Sequence, residues 1–114
     1  MQDCVFCKII EGSIPSKKLY EDEDFLIFDN INPKASQHYL AIAKEHFATL
    51  REMNERQAAL LGKLMLKIGQ LEGVLNLENG FRLVVNQKGS EGNDAHQEVM
   101  HLHIHILSGQ DLGE

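Results

Sequence analysis

Tryptophan is absent from the sequence, proline occurs only as Pro15 and Pro33, and cysteine only as Cys4 and Cys7. Two cysteines this close cannot build a disulfide framework, which suits a reducing compartment. Positive charge is also scarce: 11 Lys and Arg stand against 17 Asp and Glu, a formal net charge of −6. A chain this acidic lacks the basic stripe that neutralises phosphates along a duplex, so nucleic acid is not an expected partner. Apolar runs fall short of the roughly 18 residues of a membrane span. The opening Met1-Gln2-Asp3-Cys4 does not read as a secretory signal, so the expected location is cytoplasmic, with no membrane partner. Repeats, low-complexity tracts and linkers rich in Pro, Gly or Ser are missing as well. What is there is ordinary globular composition, 43% hydrophobic and 25% charged over 114 residues, which predicts a single domain over 1–114 with its own core.

Val5, Phe6, Ile9 and Ile10 predict a short amphipathic helix that stops at Gly12 and cannot pass Pro15. Leu19-Tyr20 and Phe25 to Phe28, joined by the acidic run Glu21 to Asp24, read as a β-hairpin, the run itself as a solvated turn. After a loop marked by Asn30-Ile31-Asn32-Pro33, the segment His38 to Ala43 alternates as a third strand with one buried face. Leu60, Leu61, Leu64, Met65, Ile68 and Leu71 recur at helical spacing from an Asn54 cap, with Gln57 completing a capping box, to about Gly73. That helix should cover one sheet face. Phe81 to Val85 and Met100 to Leu107 supply strands four and five, separated by the polar stretch Asn86 to Gln97. The order predicts an α+β fold, an antiparallel sheet of about five strands with one long and one short helix.

The most informative stretch is His101-Leu102-His103-Ile104-His105-Ile106-Leu107, because a strand's period of two puts three imidazoles on one face and three apolar residues on the other. Such a row suits a metal site or phosphoryl chemistry. A neutral imidazole is a good nucleophile near pH 7. If the central His103 attacks phosphorus, a neighbour such as His105 can donate hydrogen bonds to the phosphate oxygens, and no metal is needed for that step.

This run resembles the histidine triad family. The likeness extends along most of the chain, through Cys4-Val5-Phe6-Cys7-Lys8-Ile9-Ile10, Ile14-Pro15, Tyr20-Glu21-Asp22, Ile31-Asn32-Pro33, His38, Lys44-Glu45-His46, Val84-Val85-Asn86 and Gln97-Glu98-Val99-Met100-His101. The short length and the ending His105-Ile106-Leu107-Ser108-Gly109 are similar to the Hint branch of purine nucleoside phosphoramidases. The resemblance implies a homodimeric hydrolase of purine nucleoside 5′-phosphoramidates, such as adenosine 5′-monophosphoramidate. His103 would be the nucleophile, assisted by His105 and His38. Asn86 and the Gln97-Glu98 backbone would hold the phosphate, Asn30 would meet the ribose, and Val5, Phe6, Ile9, Phe28 and Ile31 would form an apolar purine slot. An apolar slot beside a few convergent polar groups is also what a nucleoside pocket requires on physical grounds.

The chain departs from the family pattern at three places. Asn30, preceded by Asp29, stands where Asp is usual on the ribose hydroxyls, so an anionic acceptor pair becomes an amide and the contact weakens or shifts to Asp29. His96 stands where Gly is common and gives up backbone freedom. Glu98 stands where Ser or Thr is common; it either repels the phosphate or accepts a hydrogen bond from an amine leaving group. Cys4 and Cys7 could clasp zinc, which needs four ligands for a closed tetrahedral site. His46 and His101 are the candidates to complete it, and galactose-1-phosphate uridylyltransferases resemble some triad proteins in using such a set. The zinc would be structural. The competing readings are a non-catalytic purine-nucleotide-binding module and a zinc-stabilised interaction module.

Overall fold

The computed structural model describes residues 4–114. Cys4 caps the first helix, α1 (Val5–Glu11), its Sγ accepting the Cys7 N–H at 3.3 Å. Gly12 ends it in the left-handed region at φ 90°, a conformation glycine adopts without a Cβ penalty. The hairpin follows as β1 (Lys18–Glu21) and β2 (Phe25–Asp29). Its acidic turn is held by Asp22, whose carboxylate accepts the N–H groups of Asp24 and Phe25 at 2.8 Å and the Tyr20 hydroxyl at 2.6 Å. Next come β3 (Gln37–Ala43), a short 3₁₀ turn at Leu50–Glu52 and the long helix α2 (Glu55–Gln70). The chain closes with β4 (Arg82–Val84) and β5 (His103–Ser108).

The five strands form one antiparallel sheet in the order β1-β2-β3-β5-β4. The predicted α+β architecture is therefore present. The Asn54–Gln57 capping box at the start of α2 is also present in both directions. Leu64 and Ile68 of that helix pack on Phe25, Ile27, Tyr39, Ala41, Ile104 and Ile106, the face of the sheet that carries no histidine. On the opposite face Phe6 and Ile9 of α1 meet Leu26, Phe28, Leu40 and Ile42.

Several expectations need correction. β3 is buried on both faces rather than one, because α1 covers the side that α2 leaves open. α2 stops at Gln70 instead of running to about Gly73; from Leu71 the chain turns so that Leu75 and Leu77 drop into the core. Met65, placed on the apolar stripe by its spacing, is exposed. β4 covers only Arg82–Val84, and β5 begins at His103 rather than Met100. The β3 ladder ends at the pair Ile42–His103, and the next amide, Leu102 N–H, donates to Phe47 O instead. His101 thus lies before the strand, and the three imidazoles do not stand in one strand row. Among the described residues no helix is long and apolar enough to cross a membrane.

Candidate active site and metal-binding cluster

The two-residue period of β5 places His103 and His105 side by side on one face, with Ile42 and Leu40 of β3 opposite them in register. Both imidazoles lie on the α1 face, with ring centroids 5.0 Å apart, and the edge of Phe6 packs on His103 at 5.0 Å. His103 Nδ1 is 2.8 Å from the His101 carbonyl oxygen. A carbonyl only accepts, so Nδ1 carries the proton and Nε2 keeps its lone pair. His38, on β3, receives the Lys34 backbone N–H on Nδ1 at 2.9 Å. Its proton therefore sits on Nε2 and is donated to His105 Nδ1 at 2.8 Å. His105 in turn carries its proton on Nε2, 3.4 Å from the Asn86 side-chain amide.

Burial lowers the proton affinity of all three rings. His105 is pushed down to about 4, first by desolvation and then by the positive charge His103 and His38 would carry. His103 is lowered by desolvation against a smaller opposing effect of its bond to His101 O, and His38 by desolvation and by Lys34. At neutral pH the rings are uncharged, which leaves the His103 lone pair available without prior proton removal.

These groups open on a cavity of about 880 Å³. Val5, Phe6, Ile9 and Phe28 form its apolar wall, with Ile31 on the lip, 88% exposed. Asn30, Asn86 and Glu98 line it together with His38, His103 and His105. Gln97 does not. Its side chain is 1% exposed and turned inward, donating to Ala48 O at 2.8 Å and Val99 O at 3.2 Å and accepting Lys88 N–H at 2.8 Å. Its own backbone N–H is taken by Asn93 Oδ1 at 2.9 Å, so Gln97 ties the 86–97 loop in place. Ser16, Asn32 and Lys34 line the cavity without having been picked out from the sequence. For Lys34 the working group beside His38 is a backbone amide, which no residue type announces. His96 also faces the cavity, at φ 59°, the left-handed conformation that glycine would take more easily.

Behind the histidines, Cys4, Cys7, His46 and His101 bring their ligand atoms within 4.8 Å of one another. Cys4 Sγ is 3.5 Å from His101 Nδ1, and Cys7 Sγ is 3.4 Å from His46 Nδ1 and 3.7 Å from His101 Nδ1. Metal–sulfur bonds of about 2.3 Å and metal–nitrogen bonds of about 2.0 Å at tetrahedral angles give edges of about 3.5 Å, so the set fits a four-coordinate ion. His101 Nε2 donates to Ala43 O at 2.7 Å, which fixes the tautomer with Nδ1 free to ligate. Desolvation, then the neighbouring Cys4, push the Cys7 thiol up to about 11, a cost that a bound cation would reverse. The cluster can hold a metal ion.

The family model described as scavenger mRNA decapping enzyme C-term binding matches residues 3–113. Protein HitA of Neisseria gonorrhoeae is 41% identical over 107 residues, covering 94% of this chain and 96% of that protein. A HIT family hydrolase from Clostridium thermocellum superimposes with a TM-score of 0.88 at 40% identity, covering 100% of this chain and 96% of the other. The chain belongs to the histidine triad (HIT) family. Its fold and sequence are those of a HIT-like hydrolase. A zinc-bound histidine triad family protein from Mycobacterium smegmatis is also similar, with a TM-score of 0.78 at 29% identity over 99% of this chain and 79% of the other.

Proposed function

We propose that this HIT protein is a purine nucleoside phosphoramidase of the Hint type, acting on substrates such as adenosine 5′-monophosphoramidate. The observation that carries the reading is the His103 imidazole, held by the His101 carbonyl with its Nε2 lone pair free beside a cavity lined by both apolar and polar side chains. In the first step Nε2 forms a bond to phosphorus and the P–N bond breaks, the amine leaving with a proton from the histidine cluster because its anion is too basic to depart; the water that attacks in the second step gives the cluster its proton back. His105 Nε2–H and the Asn86 amide hydrogen-bond the phosphate oxygens, and His38 orients His105. Water then attacks phosphorus, the P–Nε2 bond breaks, and the nucleoside monophosphate is released with His103 regenerated. Val5, Phe6, Ile9, Phe28 and Ile31 would embrace the purine, while Asn30 and Glu98 flank the sugar and the leaving group. Gln97 contributes by holding its loop.

The metal we propose for Cys4, Cys7, His46 and His101 is Zn²⁺ in a structural role: the four ligands would close its coordination and pin α1 to the approach of β5. Residues 1–114 would work as one domain, as a cytoplasmic homodimer, with the two free thiols suited to a reducing compartment.

Hydrolysis of a fluorogenic adenosine phosphoramidate tests the activity. Turnover by the wild type and none by His103→Ala, at equal thermal stability, is the expected result; AMP binding without turnover in the wild type would make the protein a nucleotide-binding module instead. Metal analysis tests the second site: one zinc per chain, with chelation lowering the Tm, is expected, and an unchanged Tm after chelation would remove its structural role.

A further inference from the structure

Among the described residues one buried side-chain oxygen or nitrogen has no hydrogen-bond partner, the hydroxyl of Ser16. An orphaned buried hydroxyl is costly, and native structures seldom keep one without a use. Ser16 lines the cavity. Strand register explains how it arrives there. Lys18 pairs with Phe28, and Asp29 N–H donates to Lys17 O at 2.9 Å, so the antiparallel ladder continued by one step lays Ser16 beside Asn30. Ser16 and Asn30 have the parity of Phe28, which faces the cavity, and all three line it.

Asn30 is itself engaged. Its Oδ1 accepts the Asn32 N–H at 2.9 Å. The amide is thus committed to shaping the Asn30–Lys34 turn, while the hydroxyl beside it can both donate and accept. Resting on the nucleotide reading of this cavity, we infer that Ser16 is a sugar-recognising residue, exchanging a hydrogen bond with a ribose hydroxyl of the bound nucleoside next to Asn30. The site would thereby select ribonucleosides through a group on the β1 approach rather than through an acidic side chain on β2.

The test pairs a substrate change with a residue change. Adenosine 5′-phosphoramidate and its 2′-deoxy and 3′-deoxy analogues are offered to the wild type and to Ser16→Ala, with Tm measured alongside. Loss of one neutral hydrogen bond predicts a fall of about tenfold in kcat/KM of Ser16→Ala on the ribo substrate. One deoxy analogue should be used equally by both proteins, and Tm should not fall, since the variant deletes a group that has no partner. An equal loss on all three substrates, or no loss on any, overturns the assignment, and an equal loss with a lowered Tm gives Ser16 a packing role instead. If the wild type binds AMP but turns over nothing, calorimetry with AMP, 2′-dAMP and 3′-dAMP reads the same cycle and decides it. A wild type that neither binds AMP nor hydrolyses its phosphoramidate overturns the nucleotide reading, and this inference falls with it.

Discussion

The two faces of the sheet are built from the same strands and do opposite work. Toward α2, alternate residues Phe25, Ile27, Tyr39, Ala41, Ile104 and Ile106 meet Leu64 and Ile68 in an apolar layer. Toward α1, the intervening positions add His38, His103 and His105 to a smaller apolar patch, with a cavity in front. One face is closed packing, the other tolerates desolvated imidazoles, free thiols and an orphaned hydroxyl. The difference teaches that stability and chemistry are separated by a single residue step along each strand.

That separation is open to direct attack. The largest effect should follow His103→Ala, with activity down by a factor of at least about a thousand while the melting curve stays in place. Ile68→Ala should do the converse, costing about 2–5 kcal/mol in urea unfolding while specific activity of the folded fraction is kept. If Ile68→Ala lowered kcat without unfolding the protein, the two faces would be coupled and the comparison would fail.

Acidity distinguishes the faces next. The folded pKa values of His38 and His105 lie below the usual 6.5, that of His105 at about 4, so between about 4 and 6.5 the unfolded chain binds more protons than the folded one. Stability should therefore fall as pH drops from 6.5 toward 4, and His105→Asn should flatten part of that slope in thermal melts. Turnover should fall in acid as His103, whose proton affinity burial lowers below the usual 6.5, takes up a proton and loses its free lone pair. A slope that His105→Asn leaves untouched would locate the titration elsewhere. The smallest effect belongs to the closed face: Asn54→Ala removes the α2 cap and should cost about 1 kcal/mol, with kcat/KM unchanged.

Much of the closed face was legible in the sequence, since Leu60 to Leu71 carries a helical period and Asn54 and Gln57 announce where it starts. Its end was not, because Leu71, Leu75 and Leu77 continue to look helical while tertiary contacts turn the chain. On the chemical face the histidines were conspicuous, but the strand period misplaced His101. The β3–β5 ladder stops at the pair Ile42–His103 although β3 runs on to Ala43, and only the fold supplies that limit. The anchoring of the Gln97 side chain was equally hidden: its amide reaches Ala48, forty-nine positions away, and local pattern contains no trace of it. Ser16 gave no signal beyond following Ile14-Pro15.

The tautomers of His103 and His38 are set by a carbonyl of His101 and an amide of Lys34. Both are main-chain atoms that almost every amino acid carries. Residue 34 can drift through nearly any side chain and still deliver its proton to His38; proline alone would silence it. The proton addresses of the reactive imidazoles are inherited from the path of the backbone, so this part of the chemistry can survive extensive sequence change for as long as the fold does.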